Sequence, residues 1–223
     1  MFKTKKETLY IILAGIFITN AVTAELIGGK LIFVGPYLMS IGILPWPVVF
    51  LTTDLINEYF GEKGVRKLSF ITAGLICYCF LVLFCALKIP SATADGLRNV
   101  TDEQFRAVFG QSLWIIIGSI TAFIFSQLVD VTLFHFVKRR TGDKMIWLRT
   151  TGSTVISQFF DTFIVLGIAF YLPGKMTTDQ FISSGLTGYF VKLSIAVLLT
   201  PVIYLAHWLI EKYVHSEAEH DKS

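Results

Sequence analysis

Apolar residues fall into long blocks along this chain, and short polar segments separate the blocks. An α-helix needs about 20 apolar residues to cross a hydrocarbon core of about 30 Å, and most of the blocks have close to that length. The pattern therefore predicts an all-α membrane protein with six transmembrane helices, Leu9–Ile27, Trp46–Phe60, Leu68–Leu87, Leu113–Val137, Met145–Leu172 and Ser183–Ile210. Because no linker rich in Gly, Ser or Pro divides the blocks, we expect a single domain over residues 1–223, with short ends at 1–8 and 211–223.

Two polar or irregular segments interrupt this pattern. Pro45 and Pro47 suit the first turn of a helix, so the second helix starts at about Trp46, and Gly61 is a natural stop. The preceding apolar piece, Leu31–Leu44, is then expected to be a half-helix or a hairpin-like element covered by protein.

The outer loop between the third and fourth helices contains a further helical pattern. Thr101 is a good helix start, and Phe105 and Phe109 follow at helical spacing. A short amphipathic helix on the outer surface is expected there.

Composition and charge support a membrane protein and suggest its orientation. The 223 residues are 54% hydrophobic and only 16% charged, whereas soluble domains carry about a quarter charged residues. Thirteen of the 19 Lys and Arg residues lie in the terminal segments and in alternate loops, and five lie in the opposite loops. The positive-inside rule then places both termini in the cytoplasm. A cleavable signal peptide is disfavoured because the apolar pattern continues past Ala24.

Catalytic, metal and cofactor motifs do not stand out in the sequence. There is no nucleophile with a histidine base and no Gly-rich phosphate loop, so we expect no enzyme activity and no nucleic-acid partner. Cys77, Cys79 and Cys85 share one predicted helix with no His or acid nearby, which favours small apolar filler. We expect neither a metal nor a cofactor.

A polar motif occurs twice inside the apolar blocks. SQLVD covers residues 126–130 and SQFFD covers residues 157–161. In each copy Ser and Asp are four residues apart and Gln and Asp three apart, so all three share one helix face. Because the fourth and fifth helices are antiparallel and joined by a short loop, the two faces could oppose each other.

Ionisable side chains at membrane depth are costly, by about 2.5–3.5 kcal/mol each on an insertion scale. This chain has five, Asp54, Glu58, Asp130, Asp161 and Lys192. Interhelical hydrogen bonds contribute only about 0.6 kcal/mol each, which accounts for the serines but not for the ions. We therefore expect a substrate-binding site formed by Asp54, Asn57, Glu58, Gln127, Asp130, Gln158, Asp161, Thr162 and Lys192. Carboxylates with amides suit a small planar heterocycle that offers N–H donors and a carbonyl.

The segments that hold these residues resemble a known family. FLTTDLINEYFGEKGVRK (50–67), SQLVDVTLFHFVKRR (126–140), SQFFDT (157–162) and YFVKLSIAVLLTPVIY (189–204) are similar to the queuosine-precursor transporters, also called vitamin-uptake transporters. The resemblance implies a bacterial inner-membrane importer of 7-deazaguanine bases. It also implies a six-helix fold similar to the substrate-binding components of energy-coupling-factor transporters. The family pattern falls on Asp54, Gln127, Asp130, Asp161, Thr162 and Lys192.

The resulting expectation is an importer of 7-cyano- or 7-aminomethyl-7-deazaguanine that binds the base between the second, fourth, fifth and sixth helices. Asp161 or Asp130 would hold the guanine edge, Gln127 and Gln158 the carbonyl, and Lys192 would neutralise the unoccupied carboxylate. The alternatives are a transporter of a vitamin or nucleobase, or a substrate-binding subunit that needs a separate ATPase module. The sequence leaves a homo-oligomer open.

Overall fold

The computed structural model describes residues 4–34, 37–92, 99–111, 113–142 and 145–220 as a bundle of helices with one short hairpin. The elements follow in the order α1 (Lys5–Ile27), β1 (Leu31–Val34), β2 (Tyr37–Ser40), α2 (Trp46–Ala86), α3 (Asp102–Phe109), α4 (Leu113–Thr141), α5 (Ile146–Leu166) and α6 (Thr178–His220). A 3-10 turn, Ile41–Ile43, precedes α2, and a π-helical segment, Gly167–Tyr171, prolongs α5. The prediction of an all-α protein is confirmed apart from the hairpin.

Five helical stretches of the described residues are long and apolar enough to cross a membrane. They are Lys5–Ile27, Ile41–Ala86, Asp102–Thr141, Ile146–Tyr171 and Thr178–Tyr213. Many large apolar side chains on their outer faces are exposed, including Leu81, Phe84, Ile117 and Leu198. An exposed apolar surface of this extent is typical of contact with lipid. At the carboxyl end, α6 continues to His220, so the segment expected to form a tail after Ile210 prolongs the helix.

The second stretch is one helix by hydrogen bonding but bends at Gly61. That residue has φ +74° and ψ 177°, a conformation that side chains with a Cβ rarely adopt. The bend divides α2 into an arm over residues 46–60 and an arm over residues 62–86, which confirms the expected stop at Gly61. The first arm is about 22 Å long at 1.5 Å per residue, which is shorter than a hydrocarbon core.

The apolar segment before α2 forms a hairpin rather than a half-helix. β1 pairs with β2 in antiparallel register, with Leu31 opposite Ser40. The Ser40 hydroxyl donates to the Gly28 carbonyl oxygen at 2.7 Å and accepts from the Gly42 backbone N–H at 3.1 Å. The bond from Ser40 to Gly28 attaches the hairpin to the end of α1.

The predicted surface helix is present as α3. Thr101 accepts a hydrogen bond from the Gln104 backbone N–H at 3.3 Å, and the Gln104 side chain accepts from the Thr101 N–H at 3.1 Å. This reciprocal capping box satisfies two N–H groups that would otherwise lack partners, and it fixes the start of the helix.

The bundle core forms where α1, the first arm of α2 and α4 meet. Phe17, Val49, Ile56, Phe123 and Val131 are at most 1% exposed. The Phe17 and Phe123 rings pack at a centroid distance of 6.3 Å. This core holds α2 and α4 together, and α4 in turn packs along α5. The polar residues of the repeated motif lie on the α4–α5 contact.

Candidate binding cleft

The two copies of the repeated motif face each other and exchange hydrogen bonds. The Ser126 hydroxyl of α4 donates to Oδ1 of Asp161 at 3.4 Å. The Ser157 hydroxyl of α5 donates to Oδ1 of Asp130 at 3.1 Å. Each serine therefore bonds the aspartate of the other copy, and the expectation that the two polar faces oppose each other is confirmed.

The reciprocal pairing follows from spacing and direction. In each copy the aspartate lies one helical turn after the serine. Because α4 and α5 are antiparallel, one turn forward on α4 matches one turn backward on α5. Two identical motifs brought together in this way place serine against aspartate twice, which produces a local two-fold arrangement.

A narrow cleft lies beside the paired motifs; its empty volume of about 240 Å³ counts the open space at its mouth, and the enclosed part has room for about one water molecule. Its lining comes from α2, α4 and α5 and comprises Trp46, Phe50, Thr53, Ser126, Gln127, Asp130, Ser157 and Gln158. The Trp46 and Phe50 rings stack on each other with an interplanar angle of 22°. Aromatic faces thus form one wall, and the polar groups of both motifs form the other.

The two carboxamide side chains of the cleft each leave an oxygen without a partner. Nε2 of Gln127 donates to Oγ1 of Thr53 at 3.3 Å. The Oε1 atoms of Gln127 and Gln158 are buried and accept no hydrogen bond in the described part of the chain. A buried acceptor left unpaired costs about 1–3 kcal/mol, so these oxygens favour a ligand with N–H donors.

Asp130 is the carboxylate of the cleft. Its Oδ1 accepts a hydrogen bond from the Ser157 hydroxyl at 3.1 Å. No ion pair of the described residues neutralises it, and the residue is 6% exposed. An ionised carboxylate has about four lone-pair sites, so Asp130 can accept a further N–H group from a ligand.

Asp161 lies next to the cleft but is not part of its lining. Its Oδ2 forms an ion pair with Nζ of Lys192 on α6 at 2.6 Å, and its Oδ1 accepts from Ser126. The two side chains of the ion pair are 10% and 18% exposed. The ion pair links α5 to α6, and Asp161 also bonds Ser126, which lines the cleft.

Two residues predicted for the site lie elsewhere, at the end of the bundle where α2 bends, which we term the Gly61 end. Glu58 forms ion pairs with Lys138 at 3.0 Å and with Arg149 at 2.8 Å. Oδ1 of Asn57 lies 3.2 Å from Nε2 of His135. Neither residue lines the cleft. Glu58 instead contacts side chains of α4 and α5, and Asn57 contacts a side chain of α4.

Arg149 is one of the 13 basic residues counted above for the terminal segments and alternate loops, but the structure places it in a helix rather than in a loop. It lies in the first turn of α5 and is 1% exposed. Its guanidinium also donates to the Gly142 carbonyl oxygen at 2.8 Å and lies 5.9 Å from the centre of the Phe134 ring. The Glu58 carboxylate draws this arginine into the bundle.

Thr162 uses its hydroxyl within its own helix. Its Oγ1 donates to the Gln158 carbonyl oxygen at 2.8 Å, so it supports the backbone of the cleft wall.

Sequence reasoning missed an acid on α1. Glu25 is 8% exposed and lies close enough to Asp161 and Lys192 for their charges to interact. Its signal was its place two residues inside the predicted end of the first span. Phe50 and Thr53 of the cleft were also missed, because an apolar or hydroxyl residue in a helix is usually packing.

The remaining predicted residue, Asp54, lines a second cavity on the other side of Phe50. This cavity has an empty volume of about 220 Å³ that includes open space at its mouth. Its lining comes from α2, α5 and α6 and comprises Phe50, Leu51, Asp54, Thr151, Thr154, Ala196, Leu199 and Ile203. The four helices expected around the site are thus divided between two adjoining cavities.

Comparison with known proteins gives a consistent result. The family described as "Putative vitamin uptake transporter" matches residues 40–206. A "Probable queuosine precursor transporter" of Bacillus subtilis (strain 168) is 29% identical over 172 residues, which cover 77% of this chain and 72% of that relative. A protein of the same name from Haemophilus influenzae (strain Rd) is 31% identical over 162 residues, covering 71% of this chain and 63% of that relative. No solved structure matches the chain.

Proposed function

The chain belongs to the family of putative vitamin uptake transporters, and from this membership we propose that it imports a queuosine precursor. The cargo would be a 7-deazaguanine base, the cyano or the aminomethyl form. Two relatives similar over most of this chain carry the name of probable queuosine precursor transporters. The helices are those of a multi-pass membrane protein, as import requires.

One observation of the cleft carries the proposal: two buried carboxamide oxygens, on Gln127 and Gln158, lack donors beside a carboxylate, Asp130. The pairing edge of a guanine-type base presents several N–H donors together with one carbonyl acceptor. Such an edge would satisfy the oxygens of Gln127 and Asp130, while the flat ring system packs against Trp46. Nε2 of Gln127 gives one of its two N–H groups to Thr53, so Gln127 can accept from the base through Oε1 and donate its other N–H group to the base carbonyl.

The ion pairs at the Gly61 end supply a closure for the cleft. Glu58 of α2 binds Lys138 of α4 and Arg149 of α5, so it joins the three helices that line the cleft. We propose that these pairs close the cleft on that side and separate when the base is released. Asp161 and Lys192 hold the remaining wall in position.

The topology proposed for this transporter has six crossings, with the two arms of α2 counted separately. Both termini then lie in the cytoplasm, in agreement with the excess of Lys and Arg in the terminal segments and alternate loops. The single-domain organisation over residues 1–223, the bacterial inner membrane location and the similarity to substrate-binding components of energy-coupling-factor transporters stay predictions.

An uptake competition experiment tests which solute is the cargo. Cells that cannot make queuosine and lack their own importer are given this chain and radiolabelled 7-cyano-7-deazaguanine. Unlabelled 7-aminomethyl-7-deazaguanine should suppress uptake, because it presents the same pairing edge, whereas adenine and riboflavin should not. Glu103→Gln, on the exposed surface of α3, is a matched control that should transport like the wild type. Suppression by a vitamin but not by the second deazaguanine would assign the cleft to another solute.

A reconstituted system tests whether the chain acts alone. Proteoliposomes that contain only this chain should accumulate the unmodified base. Uptake that appears only after an ATPase module is added would make the chain a substrate-binding subunit, and recovery of a modified product would indicate an enzyme.

A further inference from the structure

The second cavity contains a carboxylate that no group of the described chain compensates. Asp54 is 3% exposed, and its Oδ1 accepts no hydrogen bond from the described residues. The charges that act on it most strongly are those of Asp130 and Glu58, which are also negative. An ionised carboxylate that is buried without a counter-charge is strongly unfavourable, so Asp54 either holds a proton or binds a positive charge from outside the chain.

The cations nearest in the fold are already engaged. Lys192 pairs with Asp161, and both Lys138 and Arg149 pair with Glu58. Drawing Lys192 to Asp54 would leave Asp161 without its ion-pair partner, and drawing Lys138 or Arg149 would leave Glu58 with one partner fewer.

The cavity around Asp54 has the donor set of a small cation site. Besides the carboxylate, its polar groups are the hydroxyls of Thr151 and Thr154, and the rest of the lining is apolar. Carboxylate and hydroxyl oxygens accept hydrogen bonds from an ammonium group and also coordinate hard monovalent cations.

This cavity adjoins the base cleft. Phe50 lines both spaces. A cation at Asp54 would therefore lie one side chain away from a base in the cleft, and each occupant would alter the electrostatic environment of the other.

We propose that the second cavity is a monovalent cation subsite in which Asp54 is the charged ligand. The cation is either the ammonium group of an aminomethyl-substituted base or a sodium ion carried with the base. The assignment of these two sources rests on the proposed import function, but the existence of the subsite does not.

Thermal unfolding of the purified chain in detergent tests the subsite without any base. A ligand that binds only the folded state raises the midpoint of unfolding. Methylammonium chloride or sodium chloride should raise that midpoint relative to choline chloride at equal ionic strength. Asp54→Asn should abolish the shift, Asp54→Glu should keep part of it, and Asp179→Asn, which neutralises an exposed acid of α6, should respond like the wild type. No shift in the wild type, or an equal shift in Asp54→Asn, overturns the proposal.

Uptake by the same variants identifies the source of the cation. If the ammonium group of the cargo occupies the subsite, Asp54→Asn should reduce 7-aminomethyl-7-deazaguanine uptake by about 30-fold or more and spare the cyano form. If sodium occupies it, uptake of both bases should fall equally and lose its dependence on external sodium. Wild-type levels of both bases in Asp54→Asn overturn the proposal. A wild type that shows the cation shift but transports neither base contradicts the import function alone.

Discussion

Replacing Arg149 by Leu is expected to lower the free energy of unfolding by about 3 kcal/mol, which is the cost of breaking a buried ion pair by removing one partner. The guanidinium is 1% exposed and lies 2.8 Å from Glu58. The substitution leaves that carboxylate with Lys138 alone and deprives the Gly142 carbonyl oxygen of its donor. Denaturant titration of the purified chain in detergent micelles measures the loss.

Arg139→Leu is the matched control for this experiment. Its side chain is 79% exposed and lies 3.6 Å from Glu62. Exposed pairs of this kind contribute less than about 1 kcal/mol, so the control should unfold close to the wild type. Equal destabilisation by the two substitutions would show that Arg149 is not the buried link between α2 and α5.

Asp161→Asn is expected to abolish measurable uptake of the base and to destabilise the fold by about 2–3 kcal/mol. The substitution leaves the Lys192 ammonium beside the cleft without its counter-charge, and Ser126 loses a charged acceptor. Uptake in cells, normalised to the amount of protein in the membrane, and thermal unfolding of the purified chain measure the two effects.

A double variant separates charge balance from contact with the base. Adding Lys192→Met to Asp161→Asn removes both charges, and replacing a whole buried pair by neutral groups is often close to neutral for stability. Because Asp161 does not line the cleft, we expect the double variant to recover stability and a large part of uptake. A stable double variant that transports nothing would instead assign Asp161 to the base.

The repeated motif could be predicted in detail because it depends on helix geometry alone. Spacings of three and four residues put each Ser, Gln and Asp on one face, and a short loop makes the two helices antiparallel. The Ser126–Asp161 and Ser157–Asp130 bonds follow from these two facts. The helix stop at Gly61 could be predicted equally well, because a glycine after an apolar run is a common helix end.

Other features depend on how the helices are rotated against each other, which spacing does not determine. Two acids in equivalent motifs have different surroundings: Asp130 lines the cleft, and Asp161 is bound by a lysine of α6. Glu58 shares a helix face with Asp54 by spacing, yet it is drawn to Arg149 at the Gly61 end. Such pairings are set by packing between distant segments.

The structure of the segment Leu31–Leu44 could not be predicted from the sequence for a different reason. A short apolar run with prolines is compatible with a strand or a helical piece, and periodicity cannot choose between them. The hairpin is selected by contacts with the end of α1, including the bond from Ser40 to Gly28, and these contacts lie outside the local pattern.

The central claim, that the cleft between the paired motifs binds the base, is tested most directly by equilibrium binding of radiolabelled 7-cyano-7-deazaguanine to the purified Gln127→Leu/Gln158→Leu chain. Both oxygens removed by the substitutions lack partners in the described chain, so the variant should unfold close to the wild type. We predict saturable binding to the wild type and a loss of affinity of about 100-fold or more in the variant, as expected when two buried hydrogen bonds are removed. Unchanged affinity in a folded variant would contradict the claim.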